Sequence, residues 1–170
     1  IDVHTGQVID LFAPPNSRRF NGHGCFSEDG RWLYASENDF EAGEGVIGVY
    51  DGARNWRRAK ELPSHGVGPH EILMLRGGQQ IAGAKGGIDT HPEWPSQKRN
   101  LATMRSNLAV IDAQTGALIH RAEPPIDRHQ TSLRHIAESP DGGIWIAGQH
   151  QGPLTDAALL IGYFRANEGL

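Results

Sequence analysis

At 170 residues, with 38% apolar residues and a mean hydropathy of -0.47, the chain has the balance of a soluble protein large enough to bury a core. No apolar run approaches the ~20 residues of a membrane-spanning helix, and a formal net charge of -4 with a pI near 6.1 argues against a nucleic-acid or anionic-membrane partner. Cys25 is the only cysteine, which excludes an internal disulfide and any multi-cysteine metal site.

Two short signals alternate along the chain. The first is an apolar strand that ends in aspartate and a turn: Ile1-Asp2-Val3-His4-Thr5-Gly6, Val49-Tyr50-Asp51-Gly52 and Val110-Ile111-Asp112-Ala113-Gln114-Thr115-Gly116. The second begins with histidine, in His23-Gly-Cys-Phe-Ser-Glu-Asp29-Gly30, His70-Glu-Ile-Leu-Met-Leu-Arg76-Gly77 and His135-Ile-Ala-Glu-Ser-Pro-Asp141-Gly142. Each histidine stands at the same distance from its turn glycine, so the two signals together define a repeat.

Residues 1–22 read as the end of a preceding unit, with strands within 1–12. The first full unit, 23–69, predicts strands at about 25–27, 32–37, 46–51 and 56–62. The second, 70–134, predicts them at about 72–75, 80–85, 108–112 and 117–122, with a long loop over 86–106. The third, 135–170, stops after strands at about 136–138, 143–149 and 158–164. Four short strands per unit of roughly 40 to 50 residues, joined by Asp-Gly and Gly-Gly turns, are the signature of propeller blades. The expected fold is therefore all-β, with about three and a half four-stranded antiparallel blades of a propeller. Closed propellers have about four to eight blades, so the remainder is expected from further sequence or from another copy.

In such a fold His23, His70 and His135 stand at the start of inner strands, on one face near the axis. The 86–106 loop, carrying Gly86-Gly87-Ile88-Asp89-Thr90-His91-Pro92 and Arg99, is expected to cover that face. Convergence of His23, His70, His91, His135 and His150 with Glu37, Asp39 and Glu71 would form a pocket of imidazoles and carboxylates, suited to zinc, iron, copper or nickel. His23, His70 and His135 are then the candidate metal ligands, while Arg99 and Arg134 could hold an anionic ligand. A histidine repeated in every blade also suits a purely structural role, as the Gly-His of WD-type repeats does, although their Trp-Asp pattern is absent. Acid–base catalysis is a third use. Cys25 reads as a buried thiol, and Trp32, Trp56 and Trp145 read as packing between blades. No Gly-x-Ser-x-Gly elbow, dinucleotide fingerprint or phosphate loop is present.

The run from His23-Gly24-Cys25-Phe26-Ser27 to Glu37-Asn38-Asp39, with Gly45-Val46-Ile47-Gly48-Val49-Tyr50-Asp51, Gly68-Pro69-His70-Glu71, Gly86 to Pro92, Arg134-His135 and Gly152-Pro153, resembles the bacterial family known as domain of unknown function 1513. The resemblance extends over essentially the whole chain. It implies a seven-bladed propeller of the quinoprotein amine dehydrogenase and YVTN-repeat type, in an exported, periplasmic protein. An association with iron acquisition implies a role in handling iron or another metal. It implies no activity, and no residue set here would hold a tryptophan-derived quinone.

The resulting expectation is a periplasmic propeller that binds a metal ion, a small ligand or a protein partner at a histidine-lined face made of His23, His70, Glu71, His91, Arg99, Arg134, His135 and His150, without catalysis. One alternative is a lactonase-like hydrolase, with His70 or His135 as general base and Arg134 steadying the oxyanion. The other is an interaction scaffold whose histidines are structural.

Overall fold

Aspartate side chains close the recurring turns. Asp112 accepts from the N–H groups of Gln114 and Thr115 at 3.0 and 2.7 Å, and Asp2 accepts from those of His4 and Thr5 at 2.9 and 2.8 Å. The third copy, Asp51, accepts from Ala53 N–H at 3.0 Å and caps a short 3-10 turn, Gly52–Arg54. These aspartates are thus turn formers, each replacing backbone partners that a tight reversal leaves unpaired.

The structure, a computed structural model, describes residues 1–94, 96–153 and 160–166. Among these residues eleven strands form three antiparallel sheets in chain order. The first blade is β1 Arg18–Phe26, β2 Trp32–Asp39, β3 Glu44–Asp51 and β4 Arg57–Pro63, paired in that order. The second repeats it with β5 Pro69–Met74, β6 Gln80–Lys85, β7 Asn107–Asp112 and β8 Leu118–Ala122. The third has three strands, β9 Thr131–Glu138, β10 Ile144–His150 and β11 Ile161–Phe164. The part of the third-blade strand expected from Ala158 lies partly outside the described residues. Residues 1–16 keep the Asp2 turn but contain no strand, so the strand pair expected within 1–12 is absent there.

The blades pack face to face, as propeller blades do. Tyr34, Ile47, Val49 and Leu62 of the first meet Ile72, Ile81 and Ile111 of the second. Ala82, Ala84, Leu108 and Val110 of the second meet Leu133, Ile136, Ile144 and Ile146 of the third. β2, β3, β6 and β7, each central in its sheet, carry near-continuous buried runs. Each fully buried Ile or Leu contributes about 1.5–3 kcal/mol. Of the three tryptophans expected between blades, Trp32 packs against the first interface, Trp56 against Phe26, and Trp145 is half exposed on the outer face of the third blade.

The innermost strands β1, β5 and β9 lie side by side. Each is longer toward its start than the hydrophobic pattern implied, so the histidines lie inside these strands and not before them. The register shows why. In β1 the pairing jumps between Phe20 and Gly24, in β5 between Pro69 and Ile72, and in β9 it skips Arg134 between Leu133 and His135. A β-bulge therefore accompanies the repeated histidine in all three inner strands, and a bulge re-aims the side chains it carries.

The β6–β7 connection, 86–106, is a packed loop. Gly87 at φ +72° brings its Cα so close to the Arg105 carbonyl that an added Cβ would lie 2.5 Å from it, so only glycine permits the two ends of the loop to meet. Asn100 holds the middle, donating to the Gly87 carbonyl and accepting from Asp89 N–H, both at 2.8 Å. Ile88 and Met104 are buried beneath it.

Candidate metal centre

The three bulges bring three imidazoles together. Ring centroids lie 4.8 Å apart for His23 and His70, 5.3 Å for His23 and His135, and 5.0 Å for His70 and His135. One ring nitrogen from each falls within 4.8 Å of the others. Ligand atoms around a tetrahedral metal with bonds of about 2.1 Å are roughly 3.4 Å apart. Side-chain rotations of about an ångström would close that difference.

The backbone beneath is fixed across blades. The buried Ser36 hydroxyl, on β2, lies 2.9 Å from the His23 carbonyl oxygen and 3.2 Å from that of His70, sharing its proton between two inner strands. Glu71 does the same for the other pair: one carboxylate oxygen accepts from Ile136 N–H at 2.7 Å and from His135 Nδ1 at 3.3 Å, and the other lies 3.9 Å from His23 Nδ1. A single carboxylate thus faces two of the three rings.

The surroundings of His70 disfavour its protonated form. Burial, then the positive charges of Arg134, His23 and His135, push its pKa down to about 4 against the pull of Glu71. Its ring is consequently neutral at physiological pH, the form that binds a metal. A second consequence is that His70 is a poor general base near neutrality.

Of the other residues expected here, Arg134 stands beside the cluster, with its Nε buried and without a hydrogen-bond partner among the described residues. His91, Arg99 and His150 are not among the clustered ligands. His91 sits between Phe40 and Trp94, with ring centroids at 5.3 and 5.2 Å. Arg99 pairs with Asp89 at 2.8 Å inside its own loop, and His150 ends β10 opposite Thr131. The carboxylate rim expected from Glu37 and Asp39 is also absent. Glu37 is buried in the first blade against Tyr50 and Arg58, and Asp39 pairs with Arg18 at 2.5 Å. In both cases an arginine on another strand of the same blade captures the acid, Arg58 from β4 and Arg18 from β1. Ser36 has no sequence signature, because a serine within a buried strand carries no signal of its own.

The whole chain, residues 1–170, matches the family described as protein of unknown function (DUF1513). The chain belongs to that family. No curated protein matches it. Among solved structures, hydrazine synthase of Kuenenia stuttgartiensis is similar at 14% identity and a TM-score of 0.48, over 83% of this chain and 48% of that one. This DUF1513 chain therefore spans about half the length of that structure. No helix among its described residues is long and apolar enough to cross a membrane.

Proposed function

We propose that the protein binds a divalent first-row transition metal through His23, His70 and His135. The observation that carries this reading is the approach of three imidazole nitrogens, one from each inner strand, to within 4.8 Å. Three imidazoles suit zinc, copper, iron or nickel better than calcium or magnesium, which prefer oxygen. Glu71, on the Nδ1 side of His23 and His135, would fix the rings and leave Nε2 of each for the ion. Three protein ligands leave a coordination position for water or a further ligand. A periplasmic setting and a role in handling the metal belong to the same proposal and rest on the family resemblance.

Protein stripped with a chelator and dialysed separately against zinc, nickel, copper(II) and iron(II) is the test. One equivalent of at least one metal should be retained, and His70→Ala should lose it while keeping the wild-type melting temperature within a few degrees. A protein that retains none, or a variant that retains as much, would leave the histidines a structural role. Lactone hydrolysis by metal-free protein would instead favour the hydrolase, with His135, hydrogen-bonded to Glu71, as the general base.

A further inference from the structure

Beside the histidine cluster lies a cavity of about 460 Å³, within the range of small-molecule sites. It opens between β1, β5, the bulge of β9 and the 86–106 loop, and His70 and Arg134 form part of its wall. Among the described residues three cations line it, Arg19, Lys98 and Arg134, and no carboxylate does. The remaining wall mixes amides and a hydroxyl, at Asn21, Asn38 and Thr90, with apolar surface from Phe20, Pro69 and Ile88.

Elsewhere most arginines of this protein are matched with acids, as in Arg18–Asp39, Arg58–Glu37, Arg99–Asp89 and Arg121–Glu123. Arg134 has no ion pair among the described residues, and its Nε is buried without a hydrogen-bond partner among them, as is Nδ1 of His70. A half-buried guanidinium with no acid beside it is costly unless a counter-charge reaches its terminal nitrogens. Lys98 reaches in from the long loop, its Nζ donating to Gln151 at 2.7 Å and leaving two further donors.

We infer that this cavity is a binding site for a small organic polycarboxylate, with Arg134 as its fixed anchor and Lys98 and Arg19 as mobile counter-charges. A planar guanidinium pairs with a carboxylate through two parallel hydrogen bonds, and the apolar wall from Phe20 to Ile88 suits a carbon skeleton better than a bare inorganic ion. The site stands on its own geometry and does not require the metal, although an anion here would also offset the positive charge of an ion held by three neutral imidazoles.

Calorimetric titration of chelator-stripped protein with propane-1,2,3-tricarboxylate and, separately, with inorganic phosphate at low salt tests it. The tricarboxylate should bind saturably at one site, about tenfold weaker in Arg134→Gln and severalfold weaker in Lys98→Ala, a substitution on the exposed loop that leaves the folded core untouched. Arg57→Ala, on an outer strand, should change nothing. Absence of saturable tricarboxylate binding, binding of phosphate alone, or unchanged affinity in Arg134→Gln with a native melting temperature would overturn the inference. Metal retention measured on the same Arg134→Gln protein should be intact, so failure here is distinguishable from failure of the metal centre.

Discussion

Glu71 and His135, 64 positions apart in sequence, meet at 3.3 Å because the second inner strand extends a carboxylate across to the third. The same carboxylate oxygen takes the Ile136 N–H at 2.7 Å, so one side chain both orients a candidate ligand and ties two blades. Removing it should have two separable effects. Glu71→Ala leaves the Ile136 N–H unpaired and should cost about 1–3 kcal/mol in a denaturant melt. Glu71→Gln keeps an acceptor for that N–H, and should lose less stability while weakening metal affinity by about 10–100-fold. Equal metal affinity in Glu71→Gln and wild type would show that the carboxylate only fastens the blades.

Lys85 is buried at 1% exposure between the first two blades, donating to the Gly83 carbonyl at 2.9 Å. Burial, with the charge of Arg121 nearby, pushes its pKa down to about 7 from 10.5. Between these values the unfolded chain carries the proton and the folded chain does not, so stability rises with pH from about 7 to 10.5 and is lower below that window. Lys85→Met should flatten this rise and raise stability at pH 7, by an amount on the order of a few kcal/mol. Melting curves from pH 6 to 10 measure it; a variant with the same pH slope as wild type would place the titration elsewhere.

Cys25, two residues from His23, is held against the first interface, and burial pushes its pKa up to about 12. At pH 8 the folded protein should react with a disulfide reagent about a thousandfold more slowly than a free thiol, and at the normal rate in denaturant. Fast labelling of native protein would mean that the inner edge of the first blade opens readily.

The blades were legible because their evidence is periodic. Asp2, Asp51 and Asp112 mark the same turn, and apolar runs such as Val46 to Tyr50 mark strands buried on both faces. The starts of β1, β5 and β9 were not legible. A bulge interrupts the two-residue alternation that identifies a strand, so Arg18 to Gly22 reads as a loop. For the site, register alone selected His23, His70 and His135, and adjacency to two of them selected Glu71 and Arg134. By sequence His91 and His150 fall on nearby connections, and where such a segment turns its side chain depends on packing, here Phe40 and Trp94 around His91. Glu37 illustrates the same limit: its partners Tyr50 and Arg58 come from β3 and β4, and nothing near position 37 announces them.

That buried group supplies another prediction. Glu37 is fully buried, accepting from the Tyr50 hydroxyl at 2.5 Å and from Arg58 at 2.6 Å, with Gly48 leaving the space it occupies. Tyr50→Phe should cost about 1–3 kcal/mol by removing one of two partners of a buried carboxylate. Arg58→Met should cost more, about 3–5 kcal/mol, since the carboxylate then lacks a counter-charge. Urea titrations of both give the order, and a smaller loss for Arg58→Met would mean that Glu37 takes up a proton in place of the arginine.

The approach of three imidazoles from three successive blades is tested most directly by X-ray absorption at the metal edge, recorded on stripped protein reloaded with one equivalent of zinc. The expected spectrum shows about three imidazole ligands at roughly 2.0 Å with an oxygen completing the shell, and the His23→Ala, His70→Ala, His135→Ala triple variant retains no zinc. A shell of oxygen alone, or zinc held equally by the triple variant, would contradict a metal centre at these histidines.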